Sequence, residues 1–267
     1  MEGRLLNHVL GKRRLWVFDF DGTISSIVND RNSARLHPEW RKLLKDLSQT
    51  PGLSVAVLSS REIEDLSRRV ALPGVILGGA SGLVWRLPGG RRISPGKAAE
   101  TRRERSRALL APLLSRLSSF PGVEVEDKGW SVAIHHRRVL PQAAGMLQLL
   151  MGELEKMPGI RAFRGPAVTE AQLLPKVNKS FGVRRLCRFL GVDPSKAQLL
   201  YAGDDENDAV AVRWVLRKGG IAFCVGKPMG IPGVRAVETP VDLAQAIREL
   251  AAIVPRLNTR RGSKAVA

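Results

Sequence analysis

Two carboxylates stand two residues apart in the segment FDFDGTIS (Phe18–Ser25), at the end of the apolar run LWVF. Asp19 and Asp21 repel each other unless something positive lies between them. A divalent cation meets that need, and Mg²⁺ favours one or two carboxylates completed by water and phosphate oxygens. A carboxylate is also a nucleophile, and an aspartyl-phosphate splits phosphate-ester hydrolysis into two easier displacements. The second carboxylate, just past a strand end, would protonate the leaving oxygen and then deprotonate the attacking water. Gly22 permits a tight turn, and Thr23 can bond locally to hold it. The plainer reading of the same residues is a loop with a surface Asp pair or an Asx turn.

Three further segments carry compatible chemistry. VLSSRE ends an apolar run with Ser59, whose hydroxyl suits a phosphate oxygen but also suits the N-cap of the next helix. Lys179 opens a helical segment, where the dipole disfavours a cation unless an anion is near. A solvated lysine, or Lys176 in its place, is the alternative. YAGDDENDAV sets Asp204, Asp205 and Asp208 around a strand end and a helix start. Asp204 would complete a Mg²⁺ site and Asp208 would orient it, while Asp204 or Asp205 would cap the helix. In chain order these make up a phosphoryl-transfer set: nucleophile, acid/base, metal ligands and phosphate-holding groups.

The elements that must position them alternate. LWVFDF, LSVAVLSS and GVILGG read as short buried strands, with helical spacing over 37–50 and 61–72 between them. A change follows: a long helix over 98–120, a hairpin turning at Lys128-Gly129, a helix over 141–157 and two more strands near 160–165 and 169–175. Alternation then resumes, with helices at 179–192, 206–219 and 241–254 and strands at 197–203 and 221–226. The expected class is α/β: a Rossmann-like parallel-sheet core with an inserted α+β cap domain, the core being 1–83 and 177–267 and the cap 84–176. The last ten or so residues read as loose.

Composition narrows the partners. The 267 residues carry 43 Lys and Arg against 25 Asp and Glu, a net charge of +18, yet no aromatic residues interleave with the basic clusters as a single-strand platform requires. Nucleic acid is therefore not the expected partner, although a basic nucleic-acid-binding protein on a phosphatase scaffold stays open as a reading. Cys187 and Cys224 sit in apolar periodic segments and read as buried thiols. The N-terminal segment has no signal-peptide apolar region, and no run approaches a membrane span. A cytoplasmic monomer is expected.

The ordered motifs resemble those of the haloacid dehalogenase superfamily of Mg²⁺-dependent phosphatases. The resemblance implies Asp19 as nucleophile, Asp21 as general acid/base, Ser59 and Lys179 on the phosphate, and Mg²⁺ on Asp19, the Asp21 carbonyl and Asp204 with Asp208 in support. Within that superfamily, VLSSR, EDKGWSVAIHHR (126–137) and GDDENDAV are similar to segments of the trehalose-6-phosphate phosphatases. That implies hydrolysis of trehalose 6-phosphate between core and closing cap, with Arg61, Lys128, His135 and Arg137 gripping the sugar phosphate. The sequence departs from the family pattern at Ser81, where a His is expected, and at Gln172, where a sugar-binding Glu is expected. A related phosphatase for sucrose phosphate or a mannosyl-phosphoglycerate is the alternative. For His135 and His136, inward packing of one of the two is the plainer role.

Overall fold

β1 (Arg14–Asp19) is buried along its whole length, and RLWVFD shows no polar alternation because both its faces are covered. In this computed structural model, which describes residues 13–26, 28, 33–165 and 167–262, β1 lies between two parallel neighbours. These are β2 (Leu53–Leu58) and β10 (Gln198–Gly203). One face of β1 places Leu15 and Val17 among Val183, Leu186, Val212 and Val215. The other turns Phe18 toward Trp40, ring centroids 4.9 Å apart. Trp40 belongs to α1 (Pro38–Ser48), whose buried stripe Trp40, Leu43, Leu44 and Leu47 holds it to the sheet, each such side chain contributing about 1.5–3 kcal/mol.

The sheet has eight strands in the order β12-β11-β10-β1-β2-β3-β4-β5. β3 (Ile76–Gly79), β11 (Ile221–Val225) and β12 (Arg235–Val237) are parallel to their inner neighbours, while β4 (Val84–Arg86) and β5 (Arg92–Ile93) run antiparallel at the edge. Its helices are α1, α2 (Ile63–Val70), α5 (Lys179–Leu190), α6 (Glu206–Arg217) and α7 (Pro240–Gly262).

The chain divides into two units, 1–93 with 178–267, and 94–177. The second therefore begins later than the expected 84, because β4 and β5 extend the core sheet rather than open the insertion. It contains α3 (Lys97–Ser118), β6 (Glu124–Asp127), β7 (Ser131–His135), α4 (Ala144–Lys156), β8 (Arg161–Arg164) and β9 (Val168–Gln172). Its antiparallel sheet has the order β6-β7-β9-β8. Val132, Ile134 and Ala171 pack on Leu110, Leu113, Leu150 and Leu154 of the two helices. Strand alternation puts Ser131, Ala133 and His135 on the opposite face.

The last helix runs to Gly262, past the expected stop at 254, and the loose tail read from the sequence falls partly on 263–267, outside the described residues. No helix of the described residues is long and apolar enough to cross a membrane.

Candidate active site

Parallel pairing sets Phe18 opposite Ala202, so β1 and β10 end together and deliver Asp19 and Asp204 to one edge. Ligands of open parallel sheets bind at that edge. Asp19 is 3% exposed and Lys179 5%. The Lys179 ammonium donates to Asp19 Oδ1 and to Asp208 Oδ1, both at 2.7 Å. Thr23 Oγ1 donates to Asp19 Oδ2 at 3.4 Å and lies 3.5 Å from Asp204 Oδ1, so it links two carboxylates beyond shaping its own turn. One oxygen from each of Asp19, Asp204 and Asp208 lies within 4.8 Å of the others.

Local sequence explains this convergence. Asn178 caps α5 by accepting from the Phe181 N–H at 2.9 Å, which makes Lys179 the first helical residue. Its two carboxylate partners offset the unfavourable dipole. Asp205, not Asp204, caps α6, accepting from the N–H groups of Asn207 and Asp208. Asp208 returns the favour by accepting from the Asp205 N–H, completing a capping box that fixes its carboxylate. Gly203 has to be glycine here, because a Cβ would stand 2.3 Å from Asp208 Cγ. The Tyr201 hydroxyl also donates to Asp208 Oδ1. Sequence reasoning missed Tyr201, although a tyrosine in a buried strand needs a hydroxyl partner. Lys176, the competing lysine, is exposed on the surface.

Charge does not balance in this cluster. Burial and the charge of Asp208 push the Asp19 carboxyl well above its ordinary range. The same causes take Asp204 up to about 7, and burial takes Asp208 up to about 6 against the pull of Lys179. Burial works against the Lys179 charge, but Asp19 and Asp208 outweigh it and hold the ammonium protonated. Three carboxylates share one ammonium, so protons or a further cation must make up the difference. The donors are all carboxylate oxygens, with no Cys or His among them, which suits a hard cation such as Mg²⁺.

Asp21 stands apart from that cluster. Arg61 donates from Nη2 to Asp21 Oδ1 at 2.7 Å and from Nε to Oδ2 at 2.9 Å, and the Ser59 hydroxyl reaches Oδ2 at 3.4 Å. Ser59 Oγ accepts from the Arg61 N–H at 3.1 Å, while the N-cap of α2 is Glu62. Arg61, expected on the sugar phosphate, is only 1% exposed and also binds Asp65 at 2.9 Å. Behind this loop, Ala80 and Ser81 adopt left-handed backbone, which costs about 1–3 kcal/mol per residue. The Ala80 N–H donates to Arg61 O at 2.7 Å and the Ser81 N–H to Ser59 O at 2.9 Å. The strained turn thus fixes the Ser59–Arg61 loop, and Ser81 occupies the expected His position as a backbone fastener.

The inserted unit carries the remaining candidates. Lys128 is 6% exposed with its ammonium 3.1 Å from Glu170 Oε2, and Glu170 Oε1 accepts from the Ser131 hydroxyl at 2.8 Å. His135 Nε2 lies 3.1 Å from Glu126 Oε2. His136 is half-buried beyond the strand, and burial pulls its imidazole down. Gln172 ends β9 opposite Ser131, and its Oε1 is buried without a hydrogen-bond partner. Arg137 is exposed in the turn after β7, away from these pairs in the strand register. Glu170 and Ser131 were not legible as partners of Lys128, since only the register brings them together.

The fold and the motifs have known counterparts. A trehalose-phosphate phosphatase of Mycobacterium tuberculosis is 32% identical over 219 residues, which cover 80% of this chain and 52% of that protein. One from Mycobacterium ulcerans is 32% identical over 241 residues, covering 88% and 60%. The chain thus spans about half the length of the curated relatives it matches. The C-terminal domain of the Candida albicans trehalose-6-phosphate phosphatase superposes with a TM-score of 0.71 at 21% identity, over 94% of this chain and 96% of that one. A haloacid dehalogenase-like hydrolase from Bacteroides thetaiotaomicron gives 0.64 at 15% identity, over 90% and 100%. The family model described as Trehalose-phosphatase matches residues 17–229, from within β1 to beyond β11 and so across every acidic and basic residue of the cluster, and the chain belongs to that family.

Proposed function

We infer that this protein hydrolyses trehalose 6-phosphate to trehalose and phosphate. The observation that carries the reading is the set of three carboxylates, two of them buried, around one buried ammonium, in a chain of the trehalose-phosphatase family. Asp19, Asp204 and Asp208, with the Asp21 carbonyl, would hold Mg²⁺. When bound, Mg²⁺ would neutralise phosphate charge at the sheet edge.

The chain's own residues do the rest. An Asp19 oxygen attacks phosphorus, the bond from phosphorus to the sugar oxygen breaks, and Asp21 gives that oxygen its proton. Asp21 then takes a proton from water, whose oxygen attacks phosphorus. The aspartyl bond breaks, releasing inorganic phosphate and restoring Asp19. Lys179 stabilises the charge on the transferring oxygens, and Asp208, held by Tyr201 and the capping box, orients Lys179. Ser59, placed against Asp21, steadies the acid/base. Lys128, His135, Arg137 and Gln172 are the candidates for the sugar hydroxyls.

The test is phosphate release from trehalose 6-phosphate with Mg²⁺, beside sucrose 6-phosphate, mannosyl-phosphoglycerate and glucose 6-phosphate. Selective release from the trehalose ester, lost in Asp19→Asn, is expected. Release from another ester instead moves the substrate and keeps the chemistry. Release from none contradicts the reading.

A further inference from the structure

Arg61 is held by carboxylates on both sides of its guanidinium. It is 1% exposed, its guanidinium lies 5.7 Å over the Phe20 ring, and it grips both oxygens of Asp21. Its other side is anchored in turn. Arg61 Nη1 donates to Asp65 Oδ2 at 2.9 Å, and Arg69 Nε donates to the same oxygen at 2.8 Å. Arg69 Nη1 then donates to the Ala34 carbonyl at 2.6 Å. Asp65 and Arg69 lie one turn apart on α2, so a single helix face carries the two middle links.

The chain of contacts is therefore Asp21, Arg61, Asp65, Arg69 and Ala34. Both of its ends lie on the excursion between β1 and α1, and its middle lies on a helix. Burial pushes the Asp65 carboxyl up, but the hydrogen bonds of Arg69 and Arg61 outweigh this and take it down to about 2. Asp65 thus stays an anion and keeps Arg61 from turning elsewhere. A planar guanidinium bonded in two prongs also fixes the direction of a carboxylate, which a lysine ammonium cannot do.

We propose that Arg61 is a positioning residue that sets the orientation of the Asp21 carboxylate for proton exchange with the leaving oxygen, with Asp65 and Arg69 as its anchor. This rests on the reading of Asp21 as acid/base given above, and it replaces a sugar-phosphate-binding role for Arg61. A proton donor matters only where the leaving oxygen needs a proton. The sugar alkoxide of trehalose 6-phosphate needs one, whereas p-nitrophenolate departs without it.

The experiment measures kcat and KM on trehalose 6-phosphate and on p-nitrophenyl phosphate, with Mg²⁺, for the wild type, Arg61→Lys, Asp65→Asn, Asp21→Asn and the Arg61→Lys/Asp21→Asn pair. Misplacing a proton donor is expected to cost Arg61→Lys about 10²-fold in kcat/KM on the sugar ester and less than about 5-fold on p-nitrophenyl phosphate, because kcat/KM covers the steps through departure of the leaving group and not the later water step that both substrates share. KM on the sugar ester should stay within about 3-fold, since the lost interaction is not one of ground-state binding. Asp65→Asn should lose in the same selective way by about 5- to 10-fold, and Arg61→Lys should add nothing to Asp21→Asn. Equal losses of kcat/KM on both substrates, a rise in KM at constant kcat on the sugar ester, or multiplying losses in the double variant would overturn the proposal. Should Arg61→Lys lose its cooperative melting transition, the selectivity of Asp65→Asn decides alone. Should p-nitrophenyl phosphate not be turned over, the double variant decides on the sugar ester. A wild type that releases phosphate from neither substrate overturns the phosphatase reading, and the proposal with it, whereas the losses above overturn Arg61's role only.

Discussion

In the core unit Asp19, Asp204 and Asp208 gather around one ammonium, that of Lys179, whereas in the inserted unit several charges stand in one-to-one pairs. Lys128 has Glu170, Arg107 has Asp127, Arg116 has Glu153, and Arg164 has Glu155. The difference separates two kinds of polar design. Matched pairs satisfy themselves and need no further charge to balance them. An unmatched cluster holds its charges by packing, and it needs something from outside to balance them. Burying such groups without full compensation is unfavourable to folding, and sites of that kind are where chemistry is found.

The largest expected effect separates catalysis from stability within the core cluster. Asp19→Asn should lower kcat by about 10⁴-fold or more, as loss of a nucleophile does. It should also leave the metal-free melting temperature unchanged or raised, because one crowded carboxylate is gone. A parallel loss of stability would show that the cluster is balanced after all. Lys179→Met acts in the opposite sense. It strands Asp19 and Asp208 without a counter-charge and should cost about 3–5 kcal/mol in urea unfolding, part of which a second Asp19→Asn change restores.

The same imbalance sets a pH dependence. An unfolded aspartate titrates near about 3.9, whereas Asp204 in the fold is raised to about 7. Between those values the folded state binds more protons than the unfolded one, so metal-free stability falls as pH rises. Mg²⁺ should therefore raise the melting temperature more above about pH 7 than near pH 5, where protons already balance the carboxylates. An equal Mg²⁺ increment at both pH values would contradict this.

Smaller effects sharpen the contrast from the other side. Glu170→Gln leaves Lys128 buried beside a neutral partner and should cost about 1–3 kcal/mol in unfolding free energy. Gln172→Leu should be neutral or stabilising by up to about 1 kcal/mol, since it removes a buried acceptor that makes no hydrogen bond. A large destabilisation by Gln172→Leu would mean that this amide is not an orphan.

Much of the core was legible because its signals are local. β1 reads as a continuous apolar run, Asp205 and Asp208 form a capping box three residues apart, and Lys179 stands out as a cation in a first helical turn. What escaped the sequence depends on side-chain direction or on register. Nothing in VLSSRE says that Arg61 folds back onto Asp21 rather than outward, and nothing in the spacing pairs Tyr201 with Asp208. β4, β5 and β12 have two or three residues each, too few for a period to show, so the boundary of the inserted unit was set too early. Lys128 and Glu170 meet only because β7 pairs with β9, a pairing that crosses a helix and another strand.

The most direct test of the central claim, that Asp19 is the nucleophile of an unbalanced carboxylate cluster, is an acid quench during turnover. Wild-type protein is stopped in acid while hydrolysing trehalose 6-phosphate with Mg²⁺, and its peptides are read by mass spectrometry. The account predicts a phosphoryl adduct on the peptide containing Asp19, absent from Asp19→Asn, which also releases no phosphate. Sustained turnover by Asp19→Asn, or an adduct on any other residue, would contradict it.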